Sequence, residues 1–466
     1  MRKAIVGMVA GVGLALGAVA PASAETLASA LEGAYRTSGL LDQNRAVLRA
    51  ADEDLAQAVA ALRPVLSWSG SVTRSFGKTR NPITEEFVGS ATNSANIGLS
   101  ASILLYSGGR RILRFNAAKE SILAARASLV AVEQQVLLRA VEAFMDVREA
   151  VETVALRRNN VRVIQEELRA ARDRFEVGEV TRTDVAAAEA RLAEARSLLA
   201  TAEGTLEVAR AEYEAAIGRA PGDLVPPASD PRLPGTVQEA QVIARRNHPS
   251  LEQLQHQVTV AELAIEIAEA AMKPSLSLST GYSFNETFDS AAGERGGSIS
   301  LNAEGPIYQG GELSSLVRQA MANRDQVRAQ LYEAVRSIEQ NVANAYAQLR
   351  VSRASLAATD EQVRAATVAF RGVREEATLG ARTTLDVLDA EQELLDARAT
   401  RITAQVNETV AAYAVLSSVG RLTADALQLN VPRYDPEEYY DLVKTAPTLS
   451  QQGEDLDRVL RALGKE

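Results

Sequence analysis

Apolar and polar residues alternate in four short stretches of this chain, and between them apolar positions recur every three or four residues. Leu66, Trp68, Val72 and Phe76 alternate with Ser67, Ser69, Ser71, Thr73 and Ser75. Ile97, Leu99, Ala101, Ile103 and Leu105 alternate with Asn96, Gly98, Ser100 and Ser102. The same two-residue period returns at Leu276, Leu278, Thr280, Tyr282 and Phe284, and again at Ile299, Leu301 and Ala303. It predicts strands at about 65–76, 96–105, 275–285 and 298–305, each with one greasy face and one hydroxyl face. About ten residues is what a tilted strand needs to cross a bilayer. The plainer alternative is two hairpins packed greasy side inward on helices. The segments at 77–95 and 286–296 are polar and read as the turns.

The remaining pattern is helical. Between Gly109 and Phe175 there is neither Pro nor Gly, and Ile122, Ala125, Leu129, Val132, Val136, Ala140, Ala143 and Val147 keep three-and-four spacing. A helix over 109–175 would be roughly 100 Å long at 1.5 Å per residue. Its counterpart covers 312–379. Shorter helices are predicted at 26–62, 182–217, 238–272 and 383–419.

The chain is written twice. Tyr106-Ser107-Gly108-Gly109 matches Tyr308-Gln309-Gly310-Gly311 at an offset of 202 residues. Gly178 with Thr181 and Asp184 matches Gly380 with Thr383 and Asp386 at the same offset. Ile217-Gly218-Arg219 matches Val419-Gly420-Arg421 likewise. Pro64 matches Pro274 at an offset of 210, so one half is shorter between Pro64 and Tyr106. The predicted organisation is a first repeat over 25–217, a Pro- and Gly-rich linker over 218–237, a second repeat over 238–430 and a loosely ordered tail over 431–466.

Residues 1–24 read as a secretory signal peptide. Arg2 and Lys3 precede an apolar run, and Ala22-Ser23-Ala24 is a cleavage site. An exported chain with four spanning strands raises a closure problem, because open sheet edges are not tolerated in lipid. Four strands cannot close a barrel alone. Two copies would give a filled barrel of eight strands, and three would give twelve strands around a wet lumen. The strand count therefore predicts an oligomer. No later stretch reads as an uninterrupted apolar run of helical spanning length.

Composition narrows the chemistry. The 466 residues include no Cys and two His, which excludes disulfides and makes a His-rich metal centre a poor fit. Lys and Arg number 50 against 60 Asp and Glu, a net charge of −10 that argues against nucleic-acid binding. Aromatics are only 4%, which suits long helices packed closely rather than one large globular core. His248 and His256 lie eight residues apart without a companion ligand and read as plain helix residues. Asp435, Glu437 and Glu438 read as a solvated acidic run. No nucleophile–base or metal spacing supports an enzyme, no cofactor motif is present, and no phosphate-cradling loop ending in Lys-Ser/Thr supports a nucleotide site.

Thr181-x-x-Asp184 and Thr383-x-x-Asp386 are capping-box patterns, with Gly178 and Gly380 placed to end the preceding helices. Asp386 is open to two readings, a helix cap or a pore acid. Asp389 lies past the first turn, and its repeat partner is Ala187, which favours a pore role.

The duplicated halves, paired strands, long helices and the sequence Gly380-Ala381-Arg382-Thr383-Thr384-Leu385-Asp386-Val387-Leu388-Asp389-Ala390 together resemble the TolC-like outer-membrane factors over essentially the whole mature chain. The resemblance implies an α+β membrane protein, internally duplicated. It further implies a homotrimer with a 12-stranded β-barrel in the outer membrane, four strands per chain, continued by a long α-helical barrel in the periplasm. It implies no enzyme activity and no cofactor. Its implied partners are outer-membrane lipid, a periplasmic adaptor (membrane fusion) protein and an inner-membrane transporter of ABC or RND type. The implied function is the exit duct of a tripartite efflux or type I secretion system. In this family acids at Asp386 and Asp389 ring the pore constriction. Arg382 links neighbouring helices through Thr183 and Asp184. The tips at Gly178, Thr181, Gly380 and Thr383 dock the adaptor. Tyr106, Gly108, Gly109, Tyr308, Gly310 and Gly311 form the strand-to-helix junctions. The chain departs at Ala377, where the best-known member has a Tyr. The segment Val431-Pro432-Arg433-Tyr434-Asp435-Pro436-Glu437 leans toward the type I secretion members. The competing reading is a periplasmic adaptor or coiled-coil spacer with no pore.

Overall fold

The computed structural model describes residues 25–446 except 84, 228–230 and 289–292, together with Arg458 and Arg461. The signal peptide at 1–24 lies outside the described residues. The elements in chain order are α1 (Leu27–Thr37), α2 (Gly39–Ala60), β1 (Val65–Arg80), β2 (Phe87–Tyr106), α3 (Arg110–Glu176), α4 (Arg182–Ile217), α5 (Val237–Asn247), α6 (Pro249–Ala270), β3 (Ser275–Thr287), β4 (Gly293–Glu304), α7 (Glu312–Thr378), α8 (Thr384–Ser418) and α9 (Pro436–Val443). The chain divides into two compact units.

One unit comprises residues up to 37 with 137–232 and 349–413. It is helical. Leu137, Ala140, Val141, Phe144, Met145 and Val147 of α3 are buried. Phe144 packs beside Tyr213 of α4, ring centroids 6.5 Å apart. By length and composition part of α3 could cross a membrane, which the interrupted apolar run did not suggest. Its buried face shows where that apolarity is used. Nearer the ends of the long helices, Ile164 and Leu168 of α3, Ala188, Leu192 and Ala195 of α4, and Leu388 of α8 form one cluster. Ala366 of α7 packs with Leu394 and Ala397 of α8 in another. The alanines let the helix axes approach closely. Glu25 anchors the start of the linker, accepting from Arg219 (Nη2, 2.5 Å) and from the Gly222 amide (3.0 Å).

The other unit comprises 38–136, 233–348 and 414 onward. It holds a four-stranded antiparallel sheet in the order β1-β2-β3-β4. The strands run past the limits that alternation suggested: β1 to Arg80, β2 from Phe87, β4 from Gly293. Polar residues continue the ladder because backbone pairing, not side-chain burial, holds it together. The register aligns the greasy positions of all four strands. Leu66 pairs with Ala101, Trp68 with Leu99 and Phe76 with Ala91. Leu99 pairs with Tyr282 and Ile97 with Phe284, and Leu278 pairs with Leu301. The opposite face aligns Ser67 with Ser100, and Ser102 with Ser279 and Ser300.

The greasy face is not tucked against helices. Trp68 is 78% exposed, Phe76 82% and Ile299 80%. That removes the alternative of two hairpins packed inward. A register shift between Leu104 and Tyr106 lets Tyr106 oppose Leu276, so a bulge turns this aromatic onto the greasy side at the strand's end.

Two helices expected as single elements are each broken. Ser38 interrupts 26–62 as an N-cap, accepting from the Leu41 amide. His248 interrupts 238–272; it ends α5 and its Nδ1 accepts from the Ser250 amide (3.2 Å) ahead of Pro249. Burial pulls the His248 pKa down, which keeps the ring neutral for that cap. His256 instead bonds Glu120 of α3 (2.7 Å). Neither is a plain helix position, and among the described residues no group of side chains could hold a metal.

The described part of the tail, residues 431–446, is more ordered than its Pro content suggests; most of 447–466 lies outside the described residues. Tyr434 and Tyr440 pack on a cluster of Leu48, Leu55 and Ile122. Arg126 donates to the Pro436 carbonyl (3.2 Å), pairs with Glu437 and lies over the Tyr440 ring. Asp435 caps α9. The expected solvated acidic run is therefore partly structural. Tyr439 donates to Glu53 (2.6 Å).

Both strand-to-helix junctions use paired left-handed glycines, but in different surroundings. Gly108 and Gly109 have φ of +64° and +90°, and Gly310 and Gly311 +59° and +88°. A Cβ at Gly108 would lie 2.7 Å from Lys273 Cβ and 2.8 Å from the Ala270 carbonyl oxygen. A Cβ at Gly310 meets nothing within 4 Å. Gly310→Ala should cost the left-handed strain alone, about 1–2 kcal/mol. Gly108→Ala should cost roughly twice that, with displacement of Lys273 added. Comparative thermal unfolding of the two variants checks the order.

Candidate functional site

The candidate site is the pair of helix tips where α3 turns into α4 and α7 into α8. The two turns are built alike. Each long helix ends at a glycine, Gly178 (φ +81°) or Gly380 (φ +79°). The Gly178 amide bonds the Phe175 carbonyl and Glu179 bonds that of Arg174. Gly380 and Ala381 repeat this with Ala377 and Glu376. This is the Schellman arrangement, which satisfies the carbonyls left over at a helix end.

The returning helix then starts on a reciprocal cap. Asp184 accepts from the Thr181 amide (2.8 Å), and Thr181 Oγ1 accepts from the Asp184 amide. Thr383 and Asp386 do the same at α8, with 2.9 Å from the Thr383 amide to Asp386 Oδ2. Hydrogen bonds from the Thr181 hydroxyl and amide hold the Asp184 pKa below the usual carboxylate range. The Thr383 amide and hydroxyl do this for Asp386. Asp386 is thus a helix cap and an ionised, solvent-facing carboxylate at once, because the bonds that make it a cap also keep it charged. The two readings left open by its spacing are compatible.

The other predicted residues fall into separate places. Within this chain Arg382 pairs with Glu376 (2.9 Å), at the end of the preceding helix. Thr183 is exposed in the first turn of α4. Ala377 is buried. Asp389 bonds Arg191 of α4 (2.8 Å). The apolar residues flanking the tip glycines stand in solvent, Val177 at 71% and Leu379 at 85% exposure. At the junctions Tyr106 and Tyr308 are both exposed.

One arrangement had no sequence signal. Asn160 of α3 donates to Glu391 Oε1 (3.3 Å) across the buried seam between the two repeats, and Glu391 Oε2 has no hydrogen-bond partner among the described residues. Glu391 is 7% exposed. Burial raises its pKa to about 7, helped by Glu167 and Glu166 and opposed by the Asn160 bond and Arg374. Residue types alone could not reveal it, because Asn160 and Glu391 are distant in the chain.

Tips, junctions and sheet are the parts of one known architecture. The sequence profile of the outer membrane efflux proteins matches residues 34–219 and 242–421, most of both repeats. The chain belongs to that family. Among its relatives is the outer membrane efflux protein BepC of Brucella suis biovar 1 (strain 1330), 35% identical over 428 residues and 91% of each chain. The outer membrane protein TolC of Escherichia coli (strain K12) is 26% identical over 90% of this chain and 87% of its own. The crystal structure of the Campylobacter jejuni CmeC outer membrane channel superposes with a TM-score of 0.75 at 17% identity, over 92% of this chain and 90% of that one. The fold is that of TolC-like outer-membrane channels, and the protein is an outer-membrane channel component. These findings replace the adaptor or spacer reading, and the family is one of channels rather than enzymes.

The Glu391 pKa lies above its unfolded value near 4.5, so the folded state binds the extra proton between about pH 4.5 and 7. Stability therefore falls as pH rises through that window, and the penalty is complete above about 7. Glu391→Gln keeps the Oε1-type acceptor and removes the charge. It should stabilise the protein at pH 8 by about 1–3 kcal/mol and flatten the profile between pH 4.5 and 7. Denaturation midpoints measured across that range check both effects.

Proposed function

We propose that this chain assembles as a homotrimer into the exit duct of a tripartite efflux or type I secretion system, gated at the helix tips. The observation that carries the proposal is the sheet: four strands, a largely exposed greasy face, a hydroxyl face, and outer edges of β1 and β4 that have no strand partner among the described residues. In lipid every backbone donor and acceptor needs a partner within the protein. Joining the β4 edge of one copy to the β1 edge of the next meets that need. Three copies contribute twelve strands, wide enough for water inside and lined by Ser67, Ser100, Ser102, Ser279 and Ser300.

The helices supply the periplasmic part. At 67 residues each, α3 and α7 are about 100 Å long. The tips they end in carry Asp386 and Asp389, which in a trimer form two rings of acid around the axis. Such rings favour cations and repel anions. Arg382, Thr183 and Asp184 are the residues through which adjoining tips hold together when shut, and Arg382→Ser should raise the open population. The exposed Val177 and Leu379 beside Gly178 and Gly380, with Thr181 and Thr383, offer a periplasmic adaptor an apolar ledge with polar caps. An inner-membrane transporter of ABC or RND type supplies the energy, since the chain has no nucleotide-binding motif. The family and relative named for efflux support an efflux role. The Val431–Glu437 segment supports a secreted protein.

Purified protein in detergent should run as a trimer by native mass spectrometry, and in planar bilayers it should give discrete cation-preferring conductance. Asp386→Asn with Asp389→Asn should lower the cation-to-anion permeability ratio several-fold, as about six removed charges imply. A soluble monomer without conductance, or selectivity untouched by the double variant, overturns the proposal.

A further inference from the structure

The two repeats differ at their tips in one complementary way. Asp389 has Ala187 as its repeat partner, and Arg191 has Glu393. Two of the positions that break the symmetry bond each other: Arg191 Nη2 lies 2.8 Å from Asp389 Oδ1. Nη1 of the same guanidinium holds Glu194 at 3.2 Å. The pair flanks a packed seam, because the next residues inward are Leu192 of α4 and Leu388 of α8, both in the buried cluster with Ile164 and Leu168. That packing fixes the spacing of the two backbones, so the side chains meet without reaching.

Two physical effects of such a pair must be weighed. As a stabilising contact it is minor: Arg191 is 34% exposed and Asp389 56%, and exposed pairs contribute little against solvent screening. As a charge in a narrow water-filled entrance it is major, since ions passing within a few ångströms feel each uncompensated carboxylate. The two acids are also unequally placed. Asp386 is bonded by Thr383, and the nearby Arg382, which hydrogen-bonds Glu376 instead, acts on it without a direct bond. Asp389 is held by a cation and is offset.

We propose that Arg191 is a selectivity-setting residue of the entrance: it neutralises Asp389 while α4 and α8 are packed, leaving Asp386 as the acting charge. Parting the two helices breaks the pair and exposes a second ring of acid. The charge of the entrance therefore depends on the spacing of α4 and α8. This rests on the reading of Asp386 and Asp389 as entrance acids.

The test is the reversal potential of the reconstituted channel in a KCl gradient. Arg191→Gln should raise the cation-to-anion permeability ratio by about twofold or more, and less in concentrated salt. Asp389→Asn should lower it, because one acid is lost and Arg191 then faces Glu194 alone. The double variant Arg191→Gln with Asp389→Asn should return to the wild-type ratio, and Arg191→Lys should retain it. A merely structural role would change open probability without this cancellation. If Arg191→Gln matches wild type while Asp389→Asn shifts the ratio, the clamp is wrong and the entrance reading stands. If Asp386→Asn with Asp389→Asn also leaves the ratio unmoved, both fail.

Discussion

Unpaired backbone in a medium without water is the constraint on which this architecture turns. A sheet can hide its ladder only by closing or by ending where something else bonds its edge. Here the outer edges of β1 and β4 have no strand partner among the described residues, and the face between them is greasy from Leu66 to Ile299. Neither property is tolerable in water alone: the face would aggregate and the edges would recruit strands. Both become assets where lipid covers the face and a second copy covers each edge. The hydroxyl face follows from the same constraint, since a lumen filled with water needs donors and acceptors on its wall.

Duplication explains most of the symmetry, and the departures from it are more informative. The tips share glycine, threonine and aspartate because each must end one helix and start another, a demand of backbone chemistry that both repeats face equally. Among the residues that differ, Arg191 against Glu393 and Asp389 against Ala187 lie one to two turns beyond the caps, where no helix-end requirement acts. Selection there was free to build a link between the two hairpins. The Asn160–Glu391 bond has the same character: it joins α3 of the first repeat to α8 of the second.

What the sequence disclosed follows how local each determinant is. Strand alternation and the capping boxes are written within a few residues, so their faces and caps were readable. The strands' full length was not, since polar residues such as Lys78 and Thr79 carry no burial signal yet still pair, here with Gly89 and Val88. Breaks at Ser38 and His248 were missed because apolar periodicity continues across them while the backbone does not. Contacts spanning the chain left no trace at all: Arg126 with the Pro436 carbonyl, and Arg191 with Asp389, are made by residues whose types are unremarkable in isolation. The family resemblance named residues at the tips and was silent on Arg191.

The two strand-to-helix junctions have a mechanical consequence. Gly108 is wedged against Lys273 and the Ala270 carbonyl, whereas Gly310 faces open space beside the solvent-exposed Ile307 and Tyr308. The root of α3 is thus hemmed in by its neighbours, whereas the root of α7 has room around it, so the first junction accommodates a displacement less readily than the second.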